Sequence, residues 1–145
     1  MLLKRRSEKI ERLKKVPLFA GLGQGQLRRI EQAADEVSID AGKELTRQGT
    51  LGRECFLILR GKARVERSGR LIDRLGAGDC FGEMSLIDRQ PRSATVIAET
   101  PLTLLVLDPR SFSALLDDVP ELTKKLLLAM CARLRKADEK LATRN

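Results

Sequence analysis

The 145-residue sequence predicts a mainly β fold, an antiparallel β-roll of the jelly-roll type with helices on its N-terminal side and two helices at its C-terminal end. Between residues 40 and 107, turn signals rich in glycine separate short apolar runs, a spacing typical of antiparallel strands. Before and after this region, apolar residues recur at helical intervals. The apolar fraction of 42% and the length of the chain indicate one domain with its own core.

Two helices are predicted before the strands. Residues 1–15 form a charged, basic helix with few apolar positions, and the proline-containing segment 16–19 ends it. From Gln24 to about Asp35, apolar residues fall on one helical face, which predicts the second helix.

The strand region shows its clearest alternation at residues 62–66, where Ala63 and Val65 face one way and the charged residues face the other. Similar short runs predict strands at residues 55–59, 63–66, 71–75, 93–98 and 102–107.

Two helices follow the strands. Asp108 is a favourable N-cap, Pro109 suits a first turn, and this helix ends near Val119. A longer helix runs from about residue 120 to 141, and we divide the chain into segments 1–15, 16–119 and 120–145. The long helix carries apolar residues at heptad spacing: Leu127, Met130, Leu134, Ala137 and Leu141. This seam either packs on its own domain, or joins two copies into a homodimer while Leu122, Leu126 and Ala129 contact the barrel.

The net charge of +8 is concentrated at the two ends of the chain. Residues 1–15 carry seven lysines and arginines against two glutamates, and residues 121–145 carry seven against three acidic residues. These charges are either solvated helix faces or a basic patch for nucleic acid or anionic lipid.

Composition excludes several classes of site. Without histidine, common zinc sites and histidine-based catalysis are excluded, and we find no nucleophile paired with a base. Three cysteines without C-x-x-C spacing indicate reduced, partly buried thiols in a cytoplasmic protein. No apolar run is long enough for a secretory signal or a membrane span.

Residues 81–96 combine a helix start with a nearby arginine. Gly82 and Ser85 flank the first residues of a short helix, whose free backbone N–H groups attract anions. Pro91 ends that helix, and Arg92 follows at the entrance of a strand, where its guanidinium and the amide and hydroxyl of Ser93 suit a phosphate.

Glu83 would repel a phosphate, so we expect it to accept a hydrogen bond from a sugar hydroxyl while it pairs with an arginine. A phosphate together with a sugar hydroxyl indicates a nucleotide. The sequence has no Tyr or Trp, so aliphatic or arginine side chains must contact the base.

Nearly the whole chain resembles the cyclic nucleotide-binding domain of catabolite activator proteins, cyclic-nucleotide-dependent kinases and gated channels. The resemblance lies in residues 16–19, 56–61, 78–79, 81–83 and 91–94. It implies that Arg92 pairs with the cyclic phosphate, that the backbone N–H groups of Ser85 and Ser93 support it, and that Gly82 and Glu83 bind the ribose 2′-hydroxyl.

The long helix resembles the dimer helix of the activator branch of this family. The resemblance implies that Arg133 holds Glu83 and that Leu134 and Asp138 contribute a lid over the base. Hydroxyl side chains that contact adenine in those relatives are replaced by Ala137 and Asp138. Asp138 could accept from adenine or from guanine, or could be a surface residue, and we favour cAMP over cGMP.

We therefore expect a non-enzymatic sensor whose C-terminal helix transmits cyclic nucleotide binding, with no cofactor or metal and an unidentified protein partner. The alternative is an interaction module with a vestigial nucleotide site and basic ends that bind nucleic acid or anionic membrane. Because the sequence stops at Asn145, we expect no sequence-specific DNA binding.

Overall fold

The computed structural model describes residues 10–143 of the chain. Eight strands form two four-stranded antiparallel sheets, so the predicted β-roll with flanking helices is confirmed. The strands are β1 (Asp35–Ile39), β2 (Glu44–Thr46), β3 (Cys55–Arg60), β4 (Ala63–Arg67), β5 (Arg70–Leu75), β6 (Cys80–Phe81), β7 (Thr95–Ala98) and β8 (Leu102–Leu107).

Helices precede and follow the strands, and one short helix lies between β6 and β7. Helix α1 is described over residues 10–14, and a 3-10 turn at Pro17–Phe19 follows it. The other helices are α2 (Gln24–Ala33), α3 (Glu83–Asp88), α4 (Pro109–Asp118) and α5 (Pro120–Thr143). The predicted part of the N-terminal helix before residue 10 lies outside the described residues. None of the described helices combines the length and the apolar character that crossing a bilayer requires.

One sheet has the strand order β1-β8-β3-β6 and the other β2-β7-β4-β5. Because side chains alternate along a strand, successive residues of β3 face either the second sheet or the helices. Phe56 and Ile58 pack between the sheets with Phe81, while Leu57 packs against the helices. The Phe56 and Phe81 rings stack with centroids 4.9 Å apart, which fixes the short strand β6 and so the start of the 81–96 segment.

Three sequence predictions are wrong in detail. The second helix ends at Ala33, and Asp35 already begins β1, because this strand pairs with β8 along its whole length. The predicted strand at residue 93 begins at Thr95 instead, since the backbone of Arg92 is bonded to the β2–β3 loop. The cysteines are free, but Cys131 is exposed rather than partly buried.

Helix α5 buries apolar side chains against the body only in its first turns. Leu122 and Leu126 are buried, whereas residues 131–142 are all exposed. Leu127, Leu134 and Leu141 of the heptad seam lie on the surface of the described protein, and the alternative residues Leu122 and Leu126 are the ones buried against the body. Ala129 is exposed.

Candidate functional site

The predicted 81–96 segment is a tight turn around helix α3. Gly82 has a φ of 85°, a left-handed conformation that favours glycine, and it leads directly into Glu83. Arg89, which caps the C-terminus of α3, is also left-handed, with a φ of 57°. Pro91 then forms an isolated β-bridge with Leu51. The turn therefore brings Arg92 back beside Gly82, the residue at which the helix began.

Arg92 is a buried cation, with 7% of its surface exposed. Its Nη1 donates a 2.6 Å hydrogen bond to the carbonyl of Gly82, and its Nη2 donates to the carbonyl of Glu54. Burial lowers the pKa of Arg92 from its ordinary value, although an arginine stays protonated in proteins. Arg92 forms no ion pair with a carboxylate of residues 10–143. Because buried charges in proteins are normally paired, this site suits an anion.

Glu83 is a buried carboxylate, with 2% of its surface exposed. Its Oε1 accepts a 2.7 Å hydrogen bond from Nη1 of Arg133 in α5, and Nη2 of Arg133 donates to the carbonyl of Cys80. The second oxygen, Oε2, has no hydrogen-bond partner among the described residues. A buried acceptor of this kind suits a hydroxyl donor from a ligand.

Arg92 and Glu83 both line a cavity of about 410 Å³, within the size range of small-molecule sites. Gly82, Ser85, Ser93 and Arg133 line it too, so the structure brings all six of these predicted residues together. Ser85 is buried and Ser93 is exposed.

The remaining predicted residues lie elsewhere. Leu134 and Asp138 are exposed on α5 beyond Arg133, and neither lines the cavity. The structure thus brings the predicted phosphate and ribose residues together but leaves the predicted lid residues apart from them.

Residues from three strands also line the cavity, and the sequence reasoning missed them. They are Thr46 of β2, Val65 and Arg67 of β4, and Ile72, Asp73 and Leu75 of β5. Arg67 also donates from Nε to the carbonyl of Ser93, at 3.0 Å. The alternation in β4 carried a signal for Val65, but only the sheet pairing places these residues beside the motif.

Two thiols, Cys55 and Cys80, precede the paired residues Phe56 and Phe81, and neither thiol lines the cavity. The side-chain hydrogen bond with Cys55 and burial raise the pKa of Cys80 well above its ordinary value, so its thiol stays protonated near neutral pH. Among residues 10–143, no cluster of three potential ligands is placed to bind a metal ion. The cavity therefore combines a buried cation and a buried carboxylate with strand residues of both apolar and polar character.

Known proteins share this sequence pattern and fold. The family model of the cyclic nucleotide-binding domain matches residues 36–119. The chain is 39% identical over 111 residues to a cyclic nucleotide-gated potassium channel of Rhizobium etli, covering 77% of this chain and 31% of the channel. It is 34% identical over 134 residues to the cyclic AMP receptor protein of Thermus thermophilus, covering 89% of this chain and 62% of the receptor.

A solved structure extends the likeness to the fold. The cyclic nucleotide-binding domain from Methylobacillus flagellatus superposes with a TM-score of 0.81 at 29% identity, covering 98% of this chain and 85% of that one. The chain thus spans nearly a whole domain of this type but less than two thirds of the channel and of the receptor. With the match to the family model over residues 36–119, these likenesses show that the chain belongs to the cyclic nucleotide-binding domain family.

Proposed function

We propose that this domain is a non-enzymatic sensor that binds a cyclic nucleotide, cAMP in preference to cGMP, in the cavity between α3 and strands β4 and β5. The main support for the proposal is that two buried groups of opposite charge lie at the same cavity. A buried arginine without a carboxylate partner among residues 10–143 lines the same cavity as a buried carboxylate oxygen without a hydrogen-bond partner. An anion and a hydroxyl on one ligand would satisfy both groups.

The phosphate belongs at Arg92. Two of the guanidinium's five N–H donors are used by the carbonyls of Gly82 and Glu54, which leaves donors for phosphate oxygens. The backbone N–H groups of Ser85 and Ser93, both at the cavity wall, add contacts without side-chain entropy. In this arrangement the phosphate replaces the counterion that Arg92 lacks.

The ribose belongs at Glu83. Its Oε1 is already engaged by Arg133, which holds the carboxylate in place, and Oε2 is the acceptor for the 2′-hydroxyl. Gly82 contributes backbone only and so leaves room for the sugar. This assignment is supported by the Glu83 carboxylate, which is paired with Arg133 through one oxygen and has no hydrogen-bond partner among the described residues at the other.

The base extends toward Val65, Ile72 and Leu75, whose aliphatic side chains line the cavity. We place Leu134 and Asp138 over the base when α5 closes, with Asp138 accepting from the adenine amino group. Arg133 is the contact between α5 and the site, so a ligand that binds Glu83 changes the environment of the helix. Closure requires that the ligand bind the closed state more tightly than the open one.

The exposed seam of α5 supports a homodimer through Leu127, Leu134 and Leu141, which are 58–65% exposed. The output then passes to a protein partner by way of α5. Three free cysteines are in keeping with a reducing compartment, and we place the protein in the cytoplasm.

The test is a thermal-shift comparison of cAMP, cGMP and AMP, because a ligand that binds only the folded state raises the melting temperature. We expect a shift with cAMP, a smaller one with cGMP and little with AMP, whose open phosphate carries a different charge and geometry. No shift with either cyclic nucleotide, together with salt-sensitive binding to DNA or anionic vesicles, would favour the interaction module instead.

A further inference from the structure

The loop joining β2 to β3, residues 47–54, holds the backbone of Arg92. The N–H of Arg92 donates to the carbonyl of Thr50 at 2.7 Å, and the N–H of Gly49 donates to the carbonyl of Arg92 at 2.8 Å. The same loop accepts a hydrogen bond from the Arg92 side chain through the carbonyl of Glu54. This loop is therefore part of the support of the cavity arginine.

Gly52 of this loop faces the guanidinium directly. A Cβ atom added at Gly52 would overlap the Arg92 side chain, and the three atoms nearest to it are Cζ, Nε and Nη2 of that one group. A Cβ added at Gly82 would likewise lie close to this group, 2.5 Å from Nη1 of Arg92. The guanidinium thus lies in a slot between two glycines.

The two glycines differ in their backbone requirements. Gly82 has a φ of 85°, so any side chain there would strain the turn as well as crowd Arg92. Gly52 lies outside the left-handed region, so alanine can adopt its backbone conformation. The nearest group that a methyl at position 52 would meet is therefore the Arg92 guanidinium.

We propose that Gly52 is a positioning residue for the phosphate-binding arginine: its missing side chain makes the slot that fixes the Arg92 guanidinium at the cavity wall. This inference rests on the proposed function, in which Arg92 binds the cyclic phosphate. A methyl group at position 52 displaces the guanidinium from the carbonyls of Gly82 and Glu54, both of which accept hydrogen bonds from it.

The test is the affinity of Gly52→Ala for cAMP and cGMP, measured by isothermal titration. We expect a loss of at least about tenfold for both ligands, because a displacement of about 1 Å removes much of the benefit of a preorganised site. The ratio of the two affinities should not change, since Arg92 contacts the shared phosphate. Gly76→Ala is the matched control: no atom lies within 4 Å of a Cβ there, and affinity should match the wild type.

A double-mutant cycle separates positioning from a general structural effect. In the Arg92→Ala background, Gly52→Ala should lower neither residual affinity nor melting temperature further, because the group it displaces is gone. If Gly52→Ala alone fails to fold, recovery of folding in Gly52→Ala/Arg92→Ala would identify the same clash.

Failure of the slot and failure of the proposed function would give different results. Loss of binding in Arg92→Ala with wild-type affinity in Gly52→Ala would overturn the slot and leave the proposed function standing. Absence of cyclic nucleotide binding by the wild type would overturn the proposed function. The melting temperatures of the cycle would then still test the slot: equal losses from Gly52→Ala in both backgrounds would contradict it.

Discussion

Arg92 and Glu83 place opposite charges at one cavity, and each is held by a different part of the chain. Arg92 is fixed by the carbonyls of Gly82 and Glu54, and Glu83 is fixed by Arg133 of α5. Because the two side chains have different hydrogen-bond partners, a substitution at each tests a different part of ligand binding.

Glu83→Gln should weaken cAMP binding by about tenfold, because hydrogen bonds to charged groups contribute about 1.5–3 kcal/mol. The same substitution should have little effect on the binding of 2′-deoxy-cAMP, which lacks the hydroxyl that Glu83 is proposed to accept. Isothermal titration of both ligands measures this. Glu99→Gln, at an exposed glutamate that pairs with Arg74, is the control. Equal wild-type affinity for the two ligands would contradict the ribose assignment.

Helix α4 begins at a charged N-cap, Asp108, whose contribution to stability should depend on pH. Oδ1 of Asp108 accepts from the backbone N–H of Ser111 at 2.7 Å, and this hydrogen bond lowers the pKa of Asp108 from its ordinary value. A carboxyl whose pKa is lower in the folded state adds stability above its unfolded pKa, and this stability is lost as pH falls through the folded pKa.

We therefore expect Asp108→Ala to lower the melting temperature at neutral pH and the difference from the wild type to shrink as the buffer is acidified below the ordinary range of an aspartate. Calorimetry across a pH series gives the comparison. Asp117→Ala, at an exposed aspartate near the other end of α4, should change little. A difference that stays constant with pH would count against the cap.

Helix α5 is the element whose exposed seam predicts self-association. Leu134 is 65% exposed at the centre of the seam, and a charge there would oppose burial against a second copy. We expect the wild type to sediment as a dimer and Leu134→Glu as a monomer, while Lys136→Glu, off the seam, remains dimeric. A monomeric wild type in analytical ultracentrifugation would remove the proposed dimer.

At the scale of the whole molecule, local sequence patterns predicted most helices and strands. The strands that those patterns did not predict are defined by their pairing with other strands. The Asp108–Pro109 start and the run at residues 55–59 were readable because capping and apolar clustering are local signals. Strand β1 was missed because Asp35–Ile39 is polar and mostly exposed, and only its pairing with β8 defines it.

The residues of the site likewise fall into those that a local sequence pattern predicted and those that only strand pairing brings to the cavity. Glu83 and Arg92 were found because the helix start, Pro91 and the arginine lie in one short segment of the sequence. Asp73 and Arg67 were missed because they reach the cavity through the pairing of β4 with β5, which no local pattern specifies. Gly52 was missed for a related reason, since its role depends on a contact made 40 residues along the chain.

The most direct measurement is isothermal titration of cAMP into the wild type and Arg92→Ala, with Arg70→Ala, an exposed arginine of β5, as control. We predict saturable binding by the wild type and by Arg70→Ala. Arg92→Ala should bind at least roughly 30-fold more weakly, because truncating one member of a buried, hydrogen-bonded charge pair costs about 2–5 kcal/mol. Equal cAMP affinity in the wild type and a folded Arg92→Ala would contradict the account.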